Sequence, residues 1–190
     1  MHDDEDADLV ERFRAGERAA LEDLYRRHAT RVWRYARFAT GSEEAAADVV
    51  QETFLRLTRH LHGFKGRARF STWLFTVARS VTIDLGRRRR RMPETLDEDA
   101  MAAVPDRADN SRSPAAALES GETKEAVREA VARLPQNERE AVVLYELQEL
   151  SIKESCEVLG WSESRMKVTL FRARRRLKEM LTGFVKAESV

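Results

Sequence analysis

The chain has 190 residues, of which 42% are hydrophobic and 35% are charged, and its formal net charge is +1. This composition fits one large or two small helical domains with a highly charged surface. No apolar run approaches the roughly 20 residues that span a bilayer. The single cysteine, Cys156, excludes an internal disulfide, and the four histidines lack the spacing of a zinc site. We therefore expect no metal, no cofactor and no membrane insertion.

The chain begins with MHDDED. This acidic start is the reverse of the cationic start of a secretory signal peptide and favours a cytoplasmic protein. Three helices are predicted in the first sixty residues. Apolar spacing predicts a helix over 8–15 that ends at Gly16, a long helix that ends at Gly41, and a third helix capped by Ser42. The third helix carries an acidic and polar outer stripe: Asp48, Gln51, Glu52 and Arg56. The pattern leaves open whether this stripe is solvated or binds a partner.

The next segment, 62–92, contains nine basic residues against one acidic residue, a net charge of +8. It is predicted to be an irregular loop over 62–70 followed by a helix capped by Ser71. Its candidate binding residues are Phe64, Lys65, Arg67, Arg69, Phe70, Trp73, Arg79, Ser80, Asp84, Arg87 and Arg88. Interleaved aromatic and cationic side chains suit single-stranded nucleic acid, because bases stack on rings while guanidinium groups track phosphates. Buried aromatics beside a solvated arginine cluster at a helix C-terminus would also explain the pattern.

A linker is predicted over 93–118. Over 93–120 seven acidic residues face two basic ones, a net charge of −5, and three of the four prolines lie there. Such a composition, without a sustained apolar period, is typical of a flexible connector between two domains. Beyond it, helices are predicted over 119–134, closed by Pro135, and over 137–148.

A helix-turn-helix motif is predicted over 150–181. Ser151 and Glu154 form a capping box, Gly160 ends the short first helix, and Ser162 caps the second. The second helix places one apolar face inward: Met166, Leu170, Ala173, Leu177 and Leu181. Its outward residues are Arg165, Lys167, Val168, Phe171, Arg172, Arg175 and Arg176. We favour a helix that enters the DNA major groove over a helical hairpin with a solvated basic face, since an exposed phenylalanine has no use on a solvated face.

These patterns together resemble the extracytoplasmic-function (ECF) group of bacterial sigma-70 factors. In the second half the resemblance is carried by Leu134-Pro135, Glu138, Arg139, Glu140, Leu150-Ser151, Glu154, Leu159-Gly160 and the run Lys167 to Arg174. In the first half it is carried by Leu24-Tyr25, the run Asp48 to Phe54, Phe64, Phe70, Trp73-Leu74, Ala78-Arg79, Asp84 and the arginine run.

The resemblance implies an all-α, two-domain, non-enzymatic initiation factor. It implies a region 2-like domain over 1–92, the linker over 93–118, and a region 4-like domain over 119–190. The partners implied are core RNA polymerase, contacted at its clamp and flap, promoter DNA and an anti-sigma factor. Polymerase would bind Asp48, Gln51, Glu52, Phe54 and Arg56; the loop from His62 and the helix after it would capture the −10 element. The helix from Glu163 would read the −35 element, although Ser80 and Thr169 depart from the family's usual Asn and Arg.

Two other functions are compatible with parts of the sequence. A two-domain helix-turn-helix regulator that is not part of polymerase would use the same DNA-binding surfaces. A nuclease would need converging carboxylates such as Asp48, Glu52 and Asp84, but these are predicted on different helices with no strand framework to gather them. We therefore favour the polymerase specificity factor.

Overall fold

The structure, a computed structural model, describes residues 2–91 and 126–187. The predicted linker and the start of the helix predicted from residue 119 lie outside these residues. The helices are α1 (His2–Arg14), α2 (Arg18–Thr40), α3 (Glu43–His60), α4 (Phe70–Arg91), α5 (residues 126–132), α6 (Gln136–Val142), α7 (Ile152–Leu159) and α8 (Glu163–Ala187). Every regular element in the described ranges is helical, as predicted. We refer to residues 2–91 as the N-terminal segment and to residues 126–187 as the C-terminal segment.

Local chemistry predicts the junction between α2 and α3 correctly, whereas α1 begins at His2, six residues before its predicted start. Gly41 takes the left-handed conformation (φ 75°) that ends α2, and the Ser42 side chain caps α3 by accepting a hydrogen bond from the Ala45 amide at 3.2 Å. The inward face predicted for α3 is buried. With the other helices of this segment it encloses a core whose largest fully buried members are Tyr35, Phe75, Leu24, Leu57, Leu61 and Leu74.

Two further predicted boundaries are wrong. The fourth helix begins at Phe70, before the predicted cap Ser71, because the Trp73 amide already bonds the Arg69 carbonyl at 3.1 Å. The helix predicted over 137–148 is interrupted: α6 ends at Val142 and a π-helical turn follows over Val143–Leu147. The Gln148 amide bonds the Val143 carbonyl at 2.9 Å, which widens this turn. Wide turns of this kind leave no trace in apolar periodicity.

A buried carboxylate joins the N-terminal helix to α2. Asp6 is 2% exposed and lies 2.9 Å from His28 Nε2, while Arg27 Nη1 donates to its other oxygen at 2.9 Å. Burial opposes ionisation of Asp6, but the bonds from His28 and Arg27 outweigh it and lower the pKa of the carboxyl group. An ionised carboxylate only accepts hydrogen bonds, so Nε2 carries the imidazole proton. Asp6 thus holds α1 against the body of this segment.

We expect Asp6→Asn to lower the free energy of unfolding by about 2 kcal/mol near pH 7, the usual value of hydrogen bonds to a charged group. A lowered folded-state pKa stabilises the native state above the unfolded value, about 3.9, and this contribution is lost as the pH falls through the folded value. The difference between wild type and variant should therefore shrink in acid. Urea unfolding across this pH range measures it.

Asp8→Asn is the matched control, because the Asp8 side chain is 67% exposed and its 3.7 Å pair with Arg12 lies on the surface. It should change stability by no more than about 0.5 kcal/mol at any of these pH values. An equal loss in both variants would show that Asp6 does not carry a specific buried interaction.

Candidate nucleic-acid interface

The predicted helix-turn-helix is formed by α7 and α8. Ser151 Oγ accepts from the Glu154 amide at 3.2 Å, and the Ser151 amide donates to Glu154 Oε2 at 2.8 Å, so both halves of the capping box are present. Gly160 takes the left-handed conformation (φ 68°) between the helices. The Ser162 hydroxyl accepts from the Arg165 amide at 3.3 Å at the start of α8. These local bonds fix the turn that aims α8.

The outward face of α8 combines exposed apolar groups with cations. Phe171 is 68% exposed and Val168 is 50% exposed, whereas Met166, Leu170 and Ala173 are buried on the opposite face. The other predicted reading residues are exposed, except that Thr169 is half-buried. Several have partners within the C-terminal segment: Lys167 with Glu163 at 3.4 Å, Arg175 with Glu179 at 3.9 Å, Arg176 with Glu138 of α6 at 3.2 Å, and Arg165 over the Trp161 ring at 4.1 Å. The face therefore meets solvent, as predicted, with its cations already oriented.

The structure revises the aromatic corner of the basic loop. We predicted Phe64 and Phe70 as binding residues, but they are only 8% and 3% exposed. Their ring centroids lie 6.1 Å apart, and both pack against the half-buried Trp73, at 5.3 and 6.0 Å. Rings buried in this way cannot stack on bases. They form the floor of the loop, and Trp73 alone of the three retains partial exposure.

Support for this loop comes from helices that the sequence did not associate with it. The Arg14 guanidinium donates to the carbonyl oxygens of Phe64 and, at 3.5 Å, Leu61. The His28 ring packs on Phe70 with centroids 5.3 Å apart. These contacts join residues about 40 to 50 positions apart, and no local pattern signals them. An arginine or histidine is seldom buried unless it is paired. This general tendency is the only indication in the sequence that Arg14 and His28 have partners.

The predicted polar residues of this surface fall into two groups. Lys65, Arg67, Ser80, Arg87 and Arg88 are exposed. The others are engaged: Arg69 and Arg79 pair with carboxylates of the C-terminal segment, and Asp84 accepts from Arg56 Nη1 at 2.9 Å. Four of the predicted cations are therefore exposed, and Arg69 and Arg79 are already paired.

The outer stripe of α3 likewise contains exposed residues and residues that already have partners. Asp48 is 51% exposed and pairs with Arg89 at 3.4 Å, and Gln51 is exposed. Glu52 accepts from Arg56 Nε at 2.8 Å. Phe54 differs from its predicted role as a contact residue, because it is 7% exposed and packs edge-on against the Tyr25 ring at 4.8 Å. Tyr25 and Leu55, 46% and 44% exposed, supply apolar surface beside the stripe.

The carboxylates proposed for a nuclease do not converge for catalysis. Glu52 and Asp84 meet at the guanidinium of Arg56, and Asp48 pairs with Arg89. In the described ranges no group of three or more His, Cys, Asp and Glu side chains could hold a metal ion.

Burial raises the pKa of the Cys156 thiol, which lowers its nucleophilicity. None of the helices in residues 2–91 and 126–187 is both long and apolar enough to cross a bilayer.

The chain is similar to known transcription factors along most of its length. Residues 24–92 match the family profile "Sigma-70 region 2", and residues 124–177 match "Sigma-70, region 4". The ECF RNA polymerase sigma factor SigM of Bacillus subtilis is 34% identical over 88% of this chain and 99% of its own length. SigM of Mycobacterium tuberculosis H37Rv is 33% identical over 95% of this chain and 86% of its own. The structure of CnrH in complex with the cytosolic domain of CnrY shares 26% identity, with a TM-score of 0.69 over 94% of this chain and 98% of CnrH.

Phe171 and Met166 lie on opposite faces of α8 and give a direct test of its orientation. We expect Phe171→Ala to leave the free energy of unfolding within about 0.5 kcal/mol of wild type, as for most surface substitutions, while weakening binding to duplex DNA that carries the −35 sequence. Met166→Ala should cost about 2–5 kcal/mol of stability, since it removes a fully buried side chain. Thermal melts and fluorescence anisotropy measure the two effects. Loss of stability without loss of binding in Phe171→Ala would contradict the orientation.

Proposed function

Since this chain belongs to the ECF group of the sigma-70 family of RNA polymerase sigma factors, we propose how its two segments divide the work of transcription initiation. A factor of this family directs core polymerase to promoters. We propose residues 1–92 as the domain that binds core enzyme and the −10 element, residues 93–118 as the linker, and residues 119–190 as the domain that reads the −35 element. The observation that carries this division is the outward face of α8, which combines cations with exposed apolar side chains. This face belongs to the C-terminal segment, whereas the basic loop before α4 belongs to the N-terminal segment.

The −10 strand binds along the loop before α4 and the exposed side of that helix. Lys65, Arg67, Arg87 and Arg88 supply exposed positive charge, and Trp73 supplies a partly exposed ring. Phe64 and Phe70 act from beneath by shaping the loop. A base extruded into this loop loses a few kcal/mol of stacking, which cation contacts and ring stacking on Trp73 offset.

Core polymerase binds the outer stripe of α3. The acidic Asp48 and the polar Gln51 lie beside exposed Tyr25 and Leu55. An apolar centre with a charged rim is the usual composition of a protein interface. Arg56 acts as a positioning residue, because it bridges Glu52 on α3 to Asp84 on α4 and so couples the polymerase surface to the −10 helix.

The chain itself acts by binding rather than by catalysis, and it works in the cytoplasm, where polymerase and promoter DNA are found. An anti-sigma protein is a further partner. Support for that partner comes from the family resemblance and from CnrH, whose structure was determined with the cytosolic domain of CnrY.

The central experiment adds purified full-length chain to core RNA polymerase. We expect a stable complex on size exclusion and promoter-directed transcripts from a genomic library, with no transcripts from either component alone. Tyr25→Ser with Leu55→Ser should abolish the complex without unfolding the chain, since both side chains are exposed. The absence of a complex for the wild type would leave only the regulator that acts outside polymerase.

Arg172→Ala tests the −35 surface. If Arg172 contacts a phosphate, the variant should bind duplex −35 DNA more weakly and its salt dependence, the slope of log K against log salt concentration, should fall by about one. Arg133→Ala is the matched control, because Arg133 is an exposed arginine of the same segment that lies outside α8. An unchanged slope for Arg172→Ala would remove this residue from the interface.

A further inference from the structure

One guanidinium group on the outward face of α8 is stacked on an aromatic ring. The guanidinium carbon of Arg165 lies over the Trp161 ring, 4.1 Å from its centroid. The two other contacts between an arginine and a ring in the described ranges are looser, at 5.4 and 5.6 Å. Arginine stacks well on tryptophan, because the cation is attracted to the negative face of the ring and the two planar groups can lie against each other.

The turn of the helix-turn-helix holds the Trp161 ring in place. Trp161 directly follows Gly160, and its amide donates to the Cys156 carbonyl at 3.0 Å, which closes the end of α7. The ring is half-buried and packs against the hydrophobic core. The ring therefore has little freedom to move, and it restricts the Arg165 side chain that lies on it.

The hydrogen-bond donors of Arg165 remain unoccupied by carboxylates. Lys167, Arg175 and Arg176 each pair with an acidic side chain. Among the ion pairs of residues 2–91 and 126–187 there is none to Arg165. A guanidinium that stacks through its face keeps its N–H donors along its edge, where they form a rigid fork. Arg165 therefore presents this fork on the outward face of α8.

The position of Arg165 on α8 favours contact with a base. The helix begins at Glu163, so Arg165 lies in its first turn. In helix-turn-helix proteins the N-terminal residues of the second helix contact base edges in the major groove. Thr169, where the family resemblance leads us to expect arginine, lies one turn further along the same face and is half-buried. In this first part of the helix the guanidinium on that face is supplied by Arg165.

We propose that Arg165, positioned by Trp161, reads a guanine of the −35 element through two hydrogen bonds, one to O6 and one to N7. The proposal rests on the −35 assignment made under "Proposed function". Guanine alone among the four bases presents two adjacent acceptors in the major groove, and these match the fork of an arginine. Trp161 acts as a positioning residue, because stacking orders the side chain before DNA binds and so reduces the conformational entropy lost on binding.

A phosphate group is the other ligand that this fork fits. A phosphate contact carries no sequence information and contributes to the salt dependence of binding. A guanine contact instead fixes the base that is preferred at one position of the site. The pattern of base preference therefore distinguishes the two ligands.

The test compares holoenzymes reconstituted from core polymerase and the full chain, as wild type, Arg165→Ala, Trp161→Leu and Trp161→Phe. Each selects duplexes from a library randomised over the −35 element of a promoter recovered by the wild-type holoenzyme. We expect wild type to prefer guanine at one position by about five- to a hundredfold, the range for a good bidentate pair. Arg165→Ala should abolish the preference at this position alone. Trp161→Leu should weaken it about two- to tenfold, whereas Trp161→Phe, which keeps a ring, should retain most of it.

A modified base tests the hydrogen bond itself. Replacing the preferred guanine by 7-deazaguanine removes the N7 acceptor but keeps the pairing with cytosine. Wild-type holoenzyme should bind this duplex about tenfold more weakly than the unmodified duplex, the usual loss for one hydrogen bond to a charged group. Arg165→Ala should bind the two duplexes equally. A difference that disappears with the side chain cannot come from a merely structural role of Arg165.

Arg174→Ala is the matched control, because Arg174 also lies over a ring, that of Tyr145, but its donors are bound to Glu146. It should leave the base preference unchanged. A uniform loss of affinity in Arg165→Ala, with a salt slope lower by about one, would assign this residue to a phosphate and overturn the proposal. An unchanged preference in Trp161→Leu would overturn the role of the ring.

The same selection separates this proposal from the assignment on which it rests. If wild-type holoenzyme selects no sequence over the −35 element, the −35 assignment is wrong and the guanine contact with it. If it selects a sequence, but Arg165→Ala selects the same one, only the guanine contact is wrong. Thermal melts of each chain show that the variants are folded.

Discussion

The carboxylate of Glu154 links the local and the tertiary organisation of this protein. One oxygen fixes the start of α7, and therefore the turn that aims α8, while the other meets Thr72 and Arg69 at the start of α4. Burial opposes ionisation of this carboxyl group, but the bonds from Ser151, the charge of Arg69 and the bond from Thr72 lower its pKa. The same group thus serves both the start of the helix-turn-helix and the contact between the segments.

Charged side chains between helices organise the N-terminal segment in a related way. The buried Asp6 needs His28 and Arg27, because an unpaired charge at such a site costs more than the pair gains. The partly exposed Arg56 bonds both Glu52 and Asp84 and so links α3 to α4. The loop before α4 is supported by helices of this segment, through Arg14 and through His28, whose ring packs on Phe70. Its shape is therefore set by the fold of the whole segment rather than by the loop sequence.

What the sequence predicted correctly was local. The capping box at Ser151 and Glu154, the left-handed Gly41 and the buried face of α3 each follow from a few neighbouring residues. The burial of Phe54, Phe64 and Phe70 did not follow from the sequence, because an aromatic side chain in a basic or polar stretch fits a ligand contact and a core position equally well, and only tertiary packing decides. Arg14, Arg31 and Glu140 could not be assigned because their partners lie about 50 or more positions away and no single-sequence pattern links them.

The polar contacts between the two segments are individually weak. The Arg69 side chain is 60% exposed, so its pair with Glu154 contributes about 1 kcal/mol or less. The more buried pair of Arg79 with Glu140 and the bond from Arg31 to the Gln148 carbonyl add about 1 kcal/mol each on the usual scale of net hydrogen bonds. Together these bonds contribute a few kcal/mol, which the binding of a large protein surface to the N-terminal segment can exceed.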